Sequence, residues 1–180
     1  MVMQKNLYLG VLLAPYRVNY YNYLHDNLNF EIFFQLKGFK GQLFDTNKLI
    51  EQSTYTPHYL MGLGKEQRRI CFGVRGLIKK YSPKVIITPE FSLLTIWVII
   101  LKIVFKYDFK IISQCDDSYQ MLISGGFSKF HDIAREFCIK HIDELILVDD
   151  KAMQWYQNKY NKGICLLLKT IAAQEQIVPS

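Results

Sequence analysis

Short, continuous apolar runs alternate with longer segments of helical spacing along most of this chain. The clearest unit lies at 83–119, where apolar runs at 85–88 and 110–114 enclose an apolar segment over 91–105. Runs this short and this uniformly apolar predict strands covered on both faces, as in a parallel sheet. With a helix between them they form a βαβ unit, whose right-handed crossover makes the two strands parallel neighbours. Each strand runs into a polar turn, Pro89-Glu90 after the first and Cys115-Asp116-Asp117-Ser118 after the second. Ligands of open parallel sheets bind beyond the carboxyl ends of the strands, so Glu90, Asp116 and Asp117 are the first candidates for chemistry.

The same alternation extends to both sides. A strand at 5–13 leads through Ala14-Pro15-Tyr16 into a helix from Arg17 to Leu28, with Val18, Tyr21, Leu24 and Leu28 on its inner face. A strand follows at 30–35, then a polar excursion at 37–53 that reads as a loop, then a strand at 54–60 that Pro57 assigns to an edge. A helix is expected over 66–81, with Ile70, Val74, Leu77, Ile78 and Tyr81 on one face and Arg68, Arg75 and Lys79 on another. Gly73 and Gly76 weaken it by roughly 1 kcal/mol each, a cost that close packing would explain. Beyond the central unit come a loop at 119–127 containing Gly125-Gly126, a helix at 128–141 and a strand at 144–148. Asp149-Asp150 then caps a helix to about Tyr160, and a last apolar run spans 164–168. The pattern predicts an α/β fold, a doubly wound, mostly parallel Rossmann-like sheet of six or seven strands. One domain covers 1–170, and 171–180 reads as the start of an interdomain linker or a truncated tail.

Composition adds little to this. The 180 residues are 50% hydrophobic and carry a net charge of +6 with a pI near 9.0, which admits phosphates, nucleotides or an anionic membrane as partners without selecting one. The segment at 91–105 is interrupted by Lys102 and falls short of the roughly 20 apolar residues that span a bilayer, so it is expected to be a buried crossover helix. Cys71, Cys115, Cys138 and Cys165 form no C-x-x-C pair. No secretory pattern precedes the first strand, and a reducing, cytoplasmic compartment is expected. His25, His58, His131 and His141 have no metal-ligand spacing, so no metal site is expected, nor a cofactor.

Three stretches together resemble retaining GT-B glycosyltransferases of the glycosyltransferase 4 type: LGVLLAPYRVNYYNYL, SPKVIITPEFS and DELILVDDKAMQWYQNKY. The first is similar to the family's opening strand, Pro-x-Arg turn and amphipathic helix. The resemblance runs from about Leu7 to Ile171, and the order of the stretches is more specific than any of them alone. It implies the amino-terminal, acceptor-side half of a two-domain GT-B fold, acting in polysaccharide or cell-envelope glycan synthesis. The resemblance implies an enzyme, a glycosyltransferase of hexosyltransferase type, but the carboxy-terminal half, which holds the nucleotide-sugar donor in such enzymes, is missing from this chain, which leaves activity of the chain alone open. Glu136 and Glu144 have the spacing of the family's paired glutamates but fall in the wrong half, a coincidence.

The resemblance implies a saccharide or lipid-linked acceptor and peripheral contact with the inner face of a membrane; nucleic acid is not among the expected partners. Arg17, with Tyr16 shaping its turn, either clamps a phosphate or carboxylate or simply sets the turn. Asp116 and Asp117, and less so Glu90, either position the attacking sugar hydroxyl or cap the segments that follow them. The basic stripe of Arg68, Arg75 and Lys79, with Lys65, Arg69 and Lys80 nearby, either meets anionic lipid or is a solvated helix face. Two alternatives remain: a catalytically silent module that binds a glycan or a partner chain, and a small nucleotide-binding α/β protein of flavodoxin or response-regulator style.

Overall fold

The computed structural model describes residues 4–38, 41–42, 44–64, 69–125, 127–160 and 165–167. In chain order its strands are β1 (Asn6–Gly10), β2 (Phe30–Phe34), β3 (His58–Tyr59), β4 (Gly62–Leu63), β5 (Ile70–Cys71), β6 (Val85–Pro89), β7 (Lys110–Cys115), β8 (Glu144–Leu147) and β9 (Cys165–Leu167). Its α-helices are α1 (Val18–Leu28), α2 (Thr46–Glu51), α3 (Val74–Tyr81), α4 (Leu93–Phe105), α5 (Tyr119–Ile123), α6 (Lys129–His141) and α7 (Asp150–Tyr160). Seven strands form one parallel sheet in the order β3-β2-β1-β6-β7-β8-β9. The fold is therefore the expected doubly wound α/β arrangement, and the strand order reverses between β1 and β6.

Alternate residues of each strand go to opposite layers, which is why the strands read as unbroken apolar runs. Leu7, Leu9, Ile86, Ile111, Cys115, Leu145 and Leu147 pack with α3, α4, α6 and α7. Tyr8, Ile32, Phe34 and Ile87 pack with α1 and α2 on the other side. Val18, Tyr21 and Leu24 form the inner face of α1 as expected, but Leu28 is exposed in its last turn. Among the described residues, edge strand β3 pairs only with β2, just after Pro57. Glu31 of β2 braces that margin, accepting from Lys5 Nζ at 2.6 Å and facing His58 Nε2 at 2.9 Å.

The helix expected over 66–81 is shorter. Ile70 and Cys71 form β5, antiparallel to β4, and Ile70 is exposed there rather than on a helix face. The helix begins only after Gly73, whose φ of 82° is left-handed and closed to a helix interior. Neither Gly73 nor Gly76 has an atom within 4 Å of where a Cβ would stand, so close packing does not explain them. Gly62 is different: a Cβ there would lie 2.5 Å from the Ile70 carbonyl oxygen, so the hairpin needs its glycine. Arg69 thus sits in the hairpin region, apart from Arg75 and Lys79 on α3. Lys65, Arg68, Gly126 and the tail at 171–180 lie outside the described residues.

Two short helices occupy segments that read as loops. Asp45 caps α2, accepting from the Asn47 amide at 2.9 Å, and Ser118 caps α5, accepting from the Met121 amide at 3.4 Å. Ser92 and Ser128 cap α4 and α6 in the same way, accepting from the amides of Thr95 and His131. Asp149 caps α7 as expected: Oδ1 accepts from the amides of Lys151 and Ala152, and Oδ2 reaches the Tyr119 amide at 3.0 Å. No described helix is long and apolar enough to cross a membrane.

Candidate functional site

The reversal of strand order opens a crevice at the carboxyl ends of β1 and β6, where ligands of such sheets bind. A cavity of about 360 Å³ lies there, lined by the segment after β1, by Pro89 and Glu90 after β6, and by Gln114 and Asp116 from the end of β7. Four of the five residues expected to position an acceptor line it: Tyr16, Arg17, Glu90 and Asp116.

Arg17 closes a 3-10 turn over Pro15–Arg17 and hands the chain to α1. Proline presets that turn, and its geometry carries the guanidinium inward over the sheet. There Nη2 donates to Asp116 Oδ1, joining the turn after β1 to the end of β7. A guanidinium only donates, so the neighbouring Gln114 amide presents its oxygen to it. In that orientation Gln114 accepts from Nη1 at 2.8 Å and Nη2 at 3.1 Å, and its nitrogen donates to the Tyr8 hydroxyl at 3.2 Å. Burial works against the Arg17 charge, but the hydroxyls of Tyr8 and Tyr21 and the Asp116 carboxylate outweigh it, so the proton is held more tightly than on a free arginine. Tyr16 stands at the exposed rim, its ring centre 5.3 Å from the Arg17 guanidinium carbon.

Glu90 is the second unusual group. Its carboxyl is pushed up to about 7, first by burial and then by the nearby charges of Asp117 and Asp116, with Arg17 opposing them. Its backbone is fixed from both sides. The amide donates to the Gln114 carbonyl at 2.7 Å, and the carbonyl accepts from Ser113 Oγ at 2.6 Å and Thr95 Oγ1 at 3.0 Å.

Asp117 turns the other way. It is buried and accepts from the Tyr156 hydroxyl at 2.7 Å, fastening the end of β7 to α7. The two aspartates therefore have separate tasks, one facing the cavity and one under the floor. Glu136 and Glu144 take no part. Glu136 bonds Tyr160 and pairs with Lys159, while Glu144 opens β8 at the opposite end of the sheet and pairs with Lys110. Among the described residues, no group of histidine, cysteine and carboxylate side chains is placed to hold a metal ion.

Tyr8 and Gln114 complete the cavity floor and were not foreseen. Each left one signal, a polar group inside an otherwise apolar run on a strand that ends at the crevice. No protein-family model matches the chain, and no curated protein matches it at a significant level.

Proposed function

We propose that this chain is the acceptor-side domain of a nucleotide-sugar-dependent glycosyltransferase of the glycosyltransferase 4 type, acting on a saccharide or lipid-linked acceptor. The observation that carries the reading is the Arg17–Asp116 pair across the mouth of the switch-point cavity, with Glu90 beside it. Tyr16 and Phe44 line the cavity together with hydrogen-bond donors and acceptors, which suits the apolar face and hydroxyl edge of a sugar ring. Asp116 orients the attacking hydroxyl, and Glu90 is a carboxyl able to hold or release a proton near neutrality. In the transfer, the acceptor oxygen bonds to the donor's anomeric carbon as the bond from that carbon to the nucleoside diphosphate breaks. The diphosphate leaves with the electron pair, and the hydroxyl proton passes to it. The donor is held by a second Rossmann-like domain that closes over this end of the sheet.

The test is titration of the isotope-labelled chain with methyl glycosides of hexoses and N-acetylhexosamines, followed by amide NMR. Shifts are expected in the 11–17 segment and at Glu90, Gln114 and Asp116, with affinity near 1 mM, about −4 kcal/mol. Arg17→Ala and Asp116→Ala should each weaken binding about tenfold, in keeping with loss of a charge-assisted hydrogen bond. UDP and UDP-glucose should leave the cavity unperturbed. Nucleotide binding there without glycoside binding, or no glycoside binding at all, would overturn the reading.

A further inference from the structure

The outward surface of α4 carries no polar side chain. Its two polar residues are engaged elsewhere: Thr95 Oγ1 donates to the Pro89 and Glu90 carbonyls, and Lys102 Nζ pairs with Asp143 at 3.0 Å. Solvent meets Trp97 (42% exposed), Ile100, Ile103 and Val104 (63%) instead. α6 packs alongside α4 and contributes Phe130 (61%) and Ile133 (68%). The expectation of a buried crossover helix therefore holds for its inner half only. Monomeric proteins rarely leave large apolar patches exposed, and one rimmed by polar residues marks an interaction site.

The rim here is predominantly cationic, although Asp108 is exposed two residues beyond Lys106. The Arg75 guanidinium carbon lies 3.8 Å from the centre of the Phe105 ring, Lys79 follows one turn later on α3, Lys106 ends α4 and Lys129 begins α6. The carboxylates of α6 and the residue before β8 are already partnered: Asp132 with Arg135, Glu136 with Lys159 and Asp143 with Lys102.

We propose that the α4–α6 face docks on an anionic lipid bilayer. At 13 residues α4 is about 20 Å long, so it lies in the plane of the interface rather than across it. Its aliphatic side chains enter the boundary between headgroups and acyl chains, Trp97 sits at headgroup depth, and the rim cations meet lipid phosphates. Charge separates this occupant from a second copy of the chain. A twofold interface would set each cationic rim near its own duplicate, whereas an anionic surface makes the same charges attractive.

A cleft of about 120 Å³ between the starts of α4 and α6 is lined by Leu93 and Phe130 and also by Glu90, which the larger cavity shares. Glu90 therefore borders both the docking face and the cavity that holds Arg17 and Asp116. A link between the two rests on the acceptor reading above; the docking does not.

The experiment is co-sedimentation of the full chain with phosphatidylcholine vesicles, with and without phosphatidylglycerol. Trp97 emission is followed in a Trp155→Phe background. The chain should sediment with the anionic vesicles, bind at least about tenfold less to the neutral ones, and show a blue shift of Trp97. Ile100→Asp with Val104→Asp should abolish sedimentation, and Lys79→Glu with Lys129→Glu should remove its anionic preference. All four positions are exposed, and methyl glycoside binding should persist in each variant. Failure of the wild type to sediment with anionic vesicles, or undiminished binding by the double aspartate variant, would overturn the proposal. So would self-association that Val104→Asp dissolves in the absence of vesicle binding. Docking without glycoside binding would instead remove the acceptor reading and leave the docking face standing.

Discussion

Glu90 holds a φ of 39°, a left-handed backbone that costs a side-chain-bearing residue roughly 1–2 kcal/mol. The hydrogen bonds from Ser113, Thr95 and its own amide hold it there and aim the side chain at the cavity. Its carboxyl adds a pH dependence. With a folded pKa near 7 against an ordinary 4.5, the native state keeps a proton that the unfolded chain releases between those values. Unfolding therefore becomes easier as pH rises through that window, with no penalty below it and the full penalty above it. The span corresponds to a ceiling of about 3 kcal/mol, and about 1–2 kcal/mol is expected after solvent screening. Glu90→Gln should match the wild type near pH 4 and exceed it by about 1–2 kcal/mol near pH 8, measured by urea unfolding. A stability curve of the same slope in both proteins would mean that Glu90 titrates normally. Glu90, Arg17 and Asp116 were legible because each stands where an element ends, a position that sequence marks. Tyr8 and Gln114 were not, because a polar group within a strand shows its purpose only through its partner across the sheet.

At the scale of elements, the start of α3 shows how a helical pattern can mislead. Ile70 is in step with Val74, Leu77, Ile78 and Tyr81, yet it belongs to a hairpin, and Gly73 separates the two. The decisive fact is a backbone angle rather than a side-chain period. That angle makes opposite predictions for two neighbouring glycines. Gly73→Ala would place a Cβ on a left-handed residue and should destabilise the protein by about 1 kcal/mol. Gly76→Ala lies inside the helix with open space around it and should stabilise by up to about 1 kcal/mol. Thermal melts should move in opposite directions, and shifts of the same sign would contradict this account of where the helix begins. The helices α2 and α5 escaped notice for another reason. With six and five residues they are too short for a period to emerge, although Asp45 and Ser118 stood ready as caps.

For the whole molecule, the strands of the parallel sheet and the pairing of β6 with β7 were readable, and the rest of the strand order was not. Double-sided burial stamps each parallel strand as an apolar run, whereas neighbours across the sheet are set by contacts between distant segments. The bonds at the candidate site, Arg17 to Asp116 and Tyr8 to Gln114, join residues 99 and 106 positions apart. This topology orders stability across the sheet. β1, β6 and β7 each have a strand on both sides and a helix layer on both faces, so their amides open only when the domain unfolds. β3 has two residues, one neighbour and a proline before it, so it opens locally. In native-state hydrogen exchange, Leu9, Ile87 and Ile112 should share one slow rate that tracks global stability as denaturant is added. His58 and Tyr59 should exchange at least about a hundredfold faster, with little denaturant dependence. The Arg17–Asp116 pair gives a sharper test of the site's place in this order, because it bridges the loop after β1 to the end of β7. Asp116→Asn should speed exchange in the 11–17 segment and leave Leu9 and Ile112 unchanged. If the central amides accelerate as well, the pair is a fastener of the fold rather than a feature of the cavity.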